Sequence, residues 1–139
     1  RYARQAMAAE GFDPVVHFSV TTGMGSLLWE QGQQDSARAW IDPVIADMEE
    51  QAKTSEDAFL AADLCQLYAI KGEKAKALQW VRKAIDRGFL DRMNMITTRT
   101  MKSIQNEPEF KAMMQELEEK TTHMRMNVKA QEAQSIMPL

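Results

Sequence analysis

Few residues of this 139-residue chain have side chains suited to covalent or acid–base chemistry. Its one cysteine is Cys65, and its two histidines, His17 and His123, are 106 residues apart. No histidine is paired with Cys65 in a pattern that would activate a thiol, and no carboxylate stands at ligand spacing to join the two histidines. Cys65 is better interpreted as a buried, unreactive core residue. The sequence therefore predicts no catalytic residue, no metal site and no cofactor, and we expect the chain not to be an enzyme.

Methionine is the other residue type that could do chemistry, because the chain has eleven of them. Met93-Asn94-Met95 and His123-Met124-Arg125-Met126 offer the soft thioether ligands that bind Cu(I). Residues two positions apart on a helix point to different sides, which weakens the second group as a ligand set. Two other interpretations stay open. Flexible methionines fill irregular gaps under a terminal helix, or they form an adaptable apolar surface for a partner.

The charge balance and the apolar pattern exclude several classes of function. Seventeen Lys and Arg against 20 Asp and Glu give a net charge of −3, so the chain lacks the basic surface that nucleic-acid binding needs. Polar residues interrupt every apolar stretch well before the roughly 18 residues of a membrane span. A single cysteine suits a reducing compartment, so we slightly favour the cytoplasm over the periplasm. Because the first residue is Arg1 rather than Met, we expect a piece of a longer protein or a processed chain.

The elements that would position any site come from an internal repeat with an offset of 40 residues. Five identities share this offset: Gly32/Gly72, Ala37/Ala77, Trp40/Trp80, Leu27/Leu67 and Ile45/Ile85. After each glycine, apolar residues recur at steps of 0, 3, 4, 7 and 8, which is one face of an α-helix. These residues are Ala37, Trp40, Ile41, Val44 and Ile45 in the first copy, and Ala77, Trp80, Val81, Ala84 and Ile85 in the second. Each unit is predicted to be a helix, a glycine turn and a second helix.

Local signals divide the single all-α domain into units at 14–53 and 55–90, with residues 1–12 as the end of a preceding unit and 91–139 as a closing tail. Asp13-Pro14 and Thr54 to Asp57 are typical helix starts, and Gly88 is a typical helix end. We expect a short helix near Thr98–Ile104 and a long last helix capped by Asn106.

Pro43 interrupts the predicted second helix. A proline inside a helix removes one backbone hydrogen bond, so we expect a kink near Asp42. The alternative is a fresh helix that begins at Asp42-Pro43.

The order of residue types in both units resembles the tetratricopeptide repeat. The second unit has Leu64, Cys65, Tyr68, Gly72, Ala77, Val81 and Ala84 at the family's leucine, small, aromatic, glycine, small, large and alanine positions. The first has Met24, Gly25, Leu28, Gly32, Ala37, Ile41 and Val44 there. The sequence departs from the family at Thr21 and Ala61, where a tryptophan is usual, in its missing closing proline, and in its spacing of 40 rather than 34 residues.

This resemblance implies a short right-handed solenoid of antiparallel helix pairs, in which the first helices of successive units line a concave groove. The groove positions would be Thr22, Ser26, Trp29, Asp63, Gln66 and Ile70. Such grooves bind proteins or peptides, with Trp29 as an anchor. Trp29 packing on a neighbouring element is the alternative, whereas Trp40 and Trp80 belong to the structural stripe.

The segment from Met101 to Met114 resembles the part that closes tetratricopeptide arrays in multidomain bacterial regulatory proteins. This second resemblance implies that a cyclase, kinase or DNA-binding output domain lies upstream, and that the array binds it or another protein. The alternatives are a small-ligand sensor or accessory domain of such a protein, and a homodimer formed through the C-terminal helix.

Overall fold

The computed structural model describes residues 18–136, and this part of the chain is all-helical. Its elements are α1 (Phe18–Glu30), α2 (Gln34–Ala52), α3 (Ala58–Ile70), α4 (Lys74–Asp86), α5 (Arg92–Thr97), a 3-10 turn η1 (Arg99–Met101) and α6 (Pro108–Ile136). The predicted fold class is thus confirmed at the level of an all-α chain. The predicted unit end at 1–12, the helix start at Asp13-Pro14 and His17 lie outside the described residues.

Glycine turns with one common geometry end α1, α3 and α4. Gly32, Gly72 and Gly88 have φ angles of 78°, 70° and 101°, a left-handed conformation that suits glycine because it has no Cβ. In each turn the next amide donates to the carbonyl five residues earlier. The three donor–acceptor distances are 2.8 Å from Gln33 to Leu28, 3.1 Å from Glu73 to Tyr68 and 2.9 Å from Phe89 to Ala84. The 40-residue offset in sequence therefore corresponds to a repeated backbone turn.

The predicted apolar stripes form the core. In α2 all five stripe residues are buried, and in α4 all except Trp80 are buried. Trp80 is half-buried, with the Lys83 ammonium 4.2 Å from its ring centroid, so it lies at the edge of the stripe. The helices pack as pairs, α1 with α2 and α3 with α4, and α3 also contacts α1 and α2.

α2 and α3 are also joined by polar contacts outside the core. The Tyr68 hydroxyl donates to the Glu49 carboxylate, and Lys71 Nζ donates to Asp42 Oδ1 at 2.7 Å. α2 is one helix that continues through exposed Pro43, so the alternative of a fresh helix at Asp42-Pro43 is wrong. The carbonyl of Ala39, which Pro43 leaves without its helical amide, belongs to an exposed residue that water reaches.

α3 begins as predicted, whereas the helix starts after the second unit differ from the prediction. α3 begins within the predicted segment, where Asp57 Oδ1 accepts from the Phe59 amide at 2.9 Å. The short helix predicted near Thr98–Ile104 corresponds to the 3-10 turn η1 at Arg99–Met101. The prediction missed α5, which begins earlier, where Asp91 Oδ1 accepts from the Asn94 amide at 3.0 Å. α6 begins at Pro108, so Asn106 stands one residue outside the capping position.

Only the first third of α6 packs on the other helices. Phe110, Met113, Met114 and Leu117 are buried, and α6 contacts α4 and α5. From residue 118 to residue 136 every side chain is exposed except half-buried Thr121. We call this segment, residues 118–136, the arm. At 1.5 Å per residue it is about 28 Å long.

Candidate functional site

The six predicted groove residues lie on two helices that contact each other. α1 carries Thr22, Ser26 and Trp29, and α3 carries Asp63, Gln66 and Ile70. Three of the six, namely Ser26, Trp29 and Ile70, line one cleft of about 110 Å³, whereas the other three do not line it. The remaining lining residues are Glu30, Ala69, Gly72, Arg99, Thr100, Lys102 and Ser103. The cleft thus lies where the last turns of α1 and α3 meet η1.

Trp29 forms part of the apolar wall of this cleft. Its side chain is half-buried and packs against the core, and the Arg38 guanidinium of α2 lies 5.2 Å from its ring centroid. A guanidinium at this distance is attracted to the ring face by a cation–π interaction. The predicted alternative, packing on a neighbouring element, therefore holds for one part of Trp29, while another part lines the cleft. Ala69 and Ile70 are the buried part of the opposite wall.

A carboxylate with two cations forms the polar side of the cleft. Glu30 Oε2 accepts from Arg99 at 3.2 Å, and Glu30 Oε1 accepts from Lys102 Nζ at 3.1 Å. The hydrogen bond from Lys102 is the main cause that lowers the pKa of Glu30, and the charge of Arg99 acts in the same direction. Sequence reasoning missed both cations, because they are 69 and 72 residues away from Glu30 in a segment outside the repeat.

The segment that carries the two cations is held in place by side-chain hydrogen bonds. Ser103 Oγ donates to the Ala69 carbonyl at 2.7 Å, which joins this segment to the end of α3. Gln105 Nε2 lies 3.2, 3.2 and 3.0 Å from the carbonyl oxygens of Met95, Ile96 and Thr98. The Thr100 hydroxyl oxygen is buried beside the cleft and has no hydrogen-bond partner within residues 18–136. The polar wall is therefore fixed, and one of its hydroxyl groups is unpaired there.

The three other groove candidates differ in exposure. Thr22 is buried, and its hydroxyl donates to the Ser19 carbonyl at 3.1 Å. Gln66 and Asp63 are half-buried on α3. Burial, together with the nearby negative charge of Asp57, raises the pKa of Asp63 to about 6. α3 therefore carries a carboxyl group that titrates near neutral pH.

Cys65 is fully buried, as the sequence predicts. Its thiol points to the sulfur of Met101 at a distance of 3.6 Å. Burial raises the pKa of this thiol far above neutral pH, so the nucleophilic thiolate is strongly disfavoured. The contact joins α3 to η1 inside the core, and no catalytic role follows from it.

The soft and imidazole ligands weighed for metal binding are divided between the core and the exposed surface. Met93 is 57% exposed, whereas Met95 is 2% exposed and belongs to the core, so this pair is divided between solvent and interior. His123, Met124 and Met126 lie on the exposed arm. Across residues 18–136, no three His, Cys, Asp or Glu side chains are grouped so that they could hold a metal ion.

Comparison with known proteins identifies no relative of this chain. No family model, no curated protein and no solved structure matches this chain. None of the helices in the described part of the chain combines the length and the apolar character needed to cross a bilayer.

Proposed function

We propose that the chain is a non-catalytic interaction module of tetratricopeptide type, which binds a peptide or a partner domain in the cleft between α1, α3 and η1. The observation that carries the proposal is that Ser26, Trp29 and Ile70, predicted as groove residues, line one cleft together with Arg99 and Lys102. The repeated glycine turns and the pairing of α1 with α2 and α3 with α4 support the solenoid.

The size of the cleft favours a peptide over a metabolite. Sites for small molecules usually measure about 300–1,000 Å³, whereas this cleft measures about 110 Å³. That volume suits one or two side chains of a peptide that otherwise lies on the surface. Trp29 and Ile70 supply the apolar contact, and the charged side fixes the orientation of the peptide. The alternative of a small-ligand sensor is therefore less well supported by the geometry.

The experiment compares two tryptophans that are both half-buried. Trp29→Ala changes the cleft, while Trp80→Ala removes a tryptophan from α4 and serves as the matched control. Binding of labelled pools of short peptides, acetylated and amidated at their ends, is measured by fluorescence anisotropy, and helicity by circular dichroism. We expect Trp29→Ala to weaken binding at least about tenfold, since buried aromatic anchors dominate such interfaces.

A second variant keeps this test decisive if Trp29→Ala unfolds. Ser26→Lys fills the cleft from α1 at a half-buried position and leaves the core side chains in place. Loss of binding with retained helicity supports the cleft. Equal binding by the wild type, Trp29→Ala and Ser26→Lys contradicts it.

A homodimer through α6 is a second candidate function. The arm continues the stripe of buried Leu117 with Thr121, Met124 and Val128 at alternating steps of four and three, and Met124 and Val128 are 43% and 53% exposed. Sedimentation analysis over a wide concentration range tests it. A monomer mass at all concentrations contradicts a dimer, and Met124→Lys should abolish a dimer that does form.

The second resemblance makes a domain upstream of the array a further candidate partner, in a regulatory protein with a cyclase, kinase or DNA-binding output. A pull-down between residues 14–139 and the separately produced upstream domain, with Trp29→Ala as the cleft variant, would test this assignment.

A further inference from the structure

We infer that the cleft selects peptides with an acidic side chain, which Arg99 and Lys102 bind. When no peptide is bound, Glu30 forms ion pairs with the same two cations. This inference rests on the proposed function of the cleft. It is a statement about the class of ligand, drawn from the placement of three charged groups around one small cavity.

The first step is that a carboxylate fits between the two cations. Each oxygen of Glu30 accepts from a different cation, at 3.2 Å from Arg99 and 3.1 Å from Lys102. Charge-assisted hydrogen bonds of this kind are the strong class of hydrogen bond. Glu30 thus marks the chemistry that the cation pair prefers.

The second step is that the cations have donors to spare. A guanidinium has five N–H donors and an ammonium has three. Within residues 18–136, Glu30 is the one side chain to which Arg99 and Lys102 donate, and their own side chains are 79% and 62% exposed. The charged side chains around the cleft therefore carry one more positive than negative charge. The buried hydroxyl of Thr100 adds a polar group that no other described residue hydrogen-bonds.

The third step concerns the helix ends at the cleft. The carbonyl ends of α1 and α3 carry partial negative charge and attract cations, and the Arg99 and Lys102 segment lies beside both ends. Several carbonyls in the last turns of both helices, however, already accept backbone hydrogen bonds. Those of Leu28 and Trp29 accept from the turn at Gly32, and those of Tyr68 and Ala69 accept from the turn at Gly72. Among the described residues, the side chains of Arg99 and Lys102 donate to Glu30 and to no helix carbonyl, so their spare donors are left for a ligand.

The fourth step is the source of the carboxylate. Ser26 and Trp29, the predicted α1 groove positions that line the cleft, are about 4.5 Å apart along the helix axis, which is little more than one residue of an extended peptide. A peptide along these two positions passes over the cleft, and a volume of about 110 Å³ accepts one of its side chains rather than its end with the backbone. We therefore assign the group to an internal Asp or Glu of the peptide.

The test compares peptide pools that differ in one group. Three pools of short peptides, acetylated and amidated, have Glu, Gln or Lys at the centre between apolar residues, and a fourth pool has central Gln with a free terminal carboxylate. We expect the Glu pool to bind about threefold to tenfold more tightly than the Gln pool, as for a partly screened ion pair. The preference should decrease between about 0.05 M and about 0.5 M salt.

Variants of the two cations and of Glu30 should change the affinity for the Glu pool in opposite directions. A purely structural role of these residues would not produce this difference. Arg99→Gln and Lys102→Gln should remove the preference for Glu, whereas Glu30→Gln should increase affinity for the Glu pool by about threefold because it removes the internal competitor. The matched controls are Arg82→Gln and Glu116→Gln, which break an ion pair between α4 and α6 away from the cleft. These controls should change neither the preference for the Glu pool over the Gln pool nor the affinity for the Glu pool.

The outcomes separate this inference from the function it rests on. Equal binding of the Glu and Gln pools, weakened by Trp29→Ala, leaves the peptide cleft standing and overturns the acidic preference. Preference for the fourth pool alone overturns the assignment to an internal side chain. Weaker binding by Glu30→Gln overturns the role of Glu30 as competitor. No binding by any pool overturns both the peptide cleft and its preference.

Discussion

Gly25 on α1 faces Ile41 on α2 so closely that a Cβ atom at Gly25 would lie 2.7 Å from the Ile41 side chain. Ile41 is fully buried, so its side chain has little room to move away. The close approach of the first helix pair therefore depends on the absence of a side chain at position 25.

Gly25→Ala should lower the free energy of unfolding by about 1–3 kcal/mol, the usual cost of overpacking a core. Gly23→Ala is the matched control, because Gly23 is on the same helix and is exposed, and a Cβ atom there would meet no packing neighbour within 4 Å. It should raise stability by about 0.5–1 kcal/mol, since alanine favours a helix. Urea unfolding followed by circular dichroism measures both. A neutral Gly25→Ala would mean that α1 and α2 can separate without cost.

Gly32→Ala and Gly72→Ala should each lower the free energy of unfolding by about 1–2 kcal/mol. Both glycines have a φ angle near +75°, at 78° and 70°, where a Cβ atom is strained. Asparagine tolerates this conformation better, so Gly72→Asn should cost less than Gly72→Ala. Thermal unfolding measures all three. Strongly unequal losses for Gly32→Ala and Gly72→Ala would contradict the view that the two turns are equivalent.

Asp63 should make the protein less stable as the pH rises from about 4 to about 6. Burial raises the pKa of Asp63 to about 6, so the folded state still holds a proton that the unfolded chain releases near its ordinary pKa. At pH 7 the folded state contains the charged carboxylate, and Asp63→Asn should therefore raise stability by about 1 kcal/mol after allowance for solvent screening.

The measurement for Asp63 is the free energy of unfolding in urea at several pH values. Asp63→Asn should flatten the decrease between pH 4 and pH 6, while Asp47→Asn, at an exposed position of α2, should leave it in place. If the free energy of unfolding of Asp63→Asn still decreases between pH 4 and pH 6, another titrating group causes the decrease.

The two parts of α6 should respond differently to truncation of an apolar side chain. Leu117 is fully buried, so Leu117→Ala should cost about 2–5 kcal/mol. Val128 is 53% exposed on the arm, so Val128→Ala in dilute protein should change stability by less than about 0.5 kcal/mol. Thermal unfolding at two protein concentrations measures both. A large loss for Val128→Ala that grows with concentration would show that the arm is covered by a second molecule.

The core of the repeated part could be predicted from the sequence because helix burial is a local, periodic property. The step pattern around Ala37 and Ala77 predicts which side chains are buried, and Gly32 and Gly72 predict the turns. Trp80 departs from the pattern, because its large ring lies at the edge of the stripe and is half in solvent beside Lys83. The start of α5 was missed because its one local signal is the capping residue Asp91, and no repeated pattern in that segment supports it.

The candidate site was predictable only on the side that the repeat supplies. Ser26, Trp29 and Ile70 follow from the resemblance of the repeat to the tetratricopeptide family, whereas Arg99 and Lys102 reach Glu30 through the path of a non-repeating segment. No spacing rule connects residues that are about 70 positions apart. Their partnership required the packing of η1 on α3, which depends on the whole chain.

The two cations of the cleft belong to the segment that follows the helix pair of α3 and α4. This placement has a consequence for chains that contain more helix pairs. Insertion of one more 40-residue unit between α4 and α5 would leave α1 to α4 intact but carry the Arg99 and Lys102 segment to the end of the inserted unit. Glu30 would lose both partners, and a different first helix would meet the charges. The proposed ligand preference would then move with the last helix pair, so duplication of units would change the number of helix pairs and the position of the two cations independently.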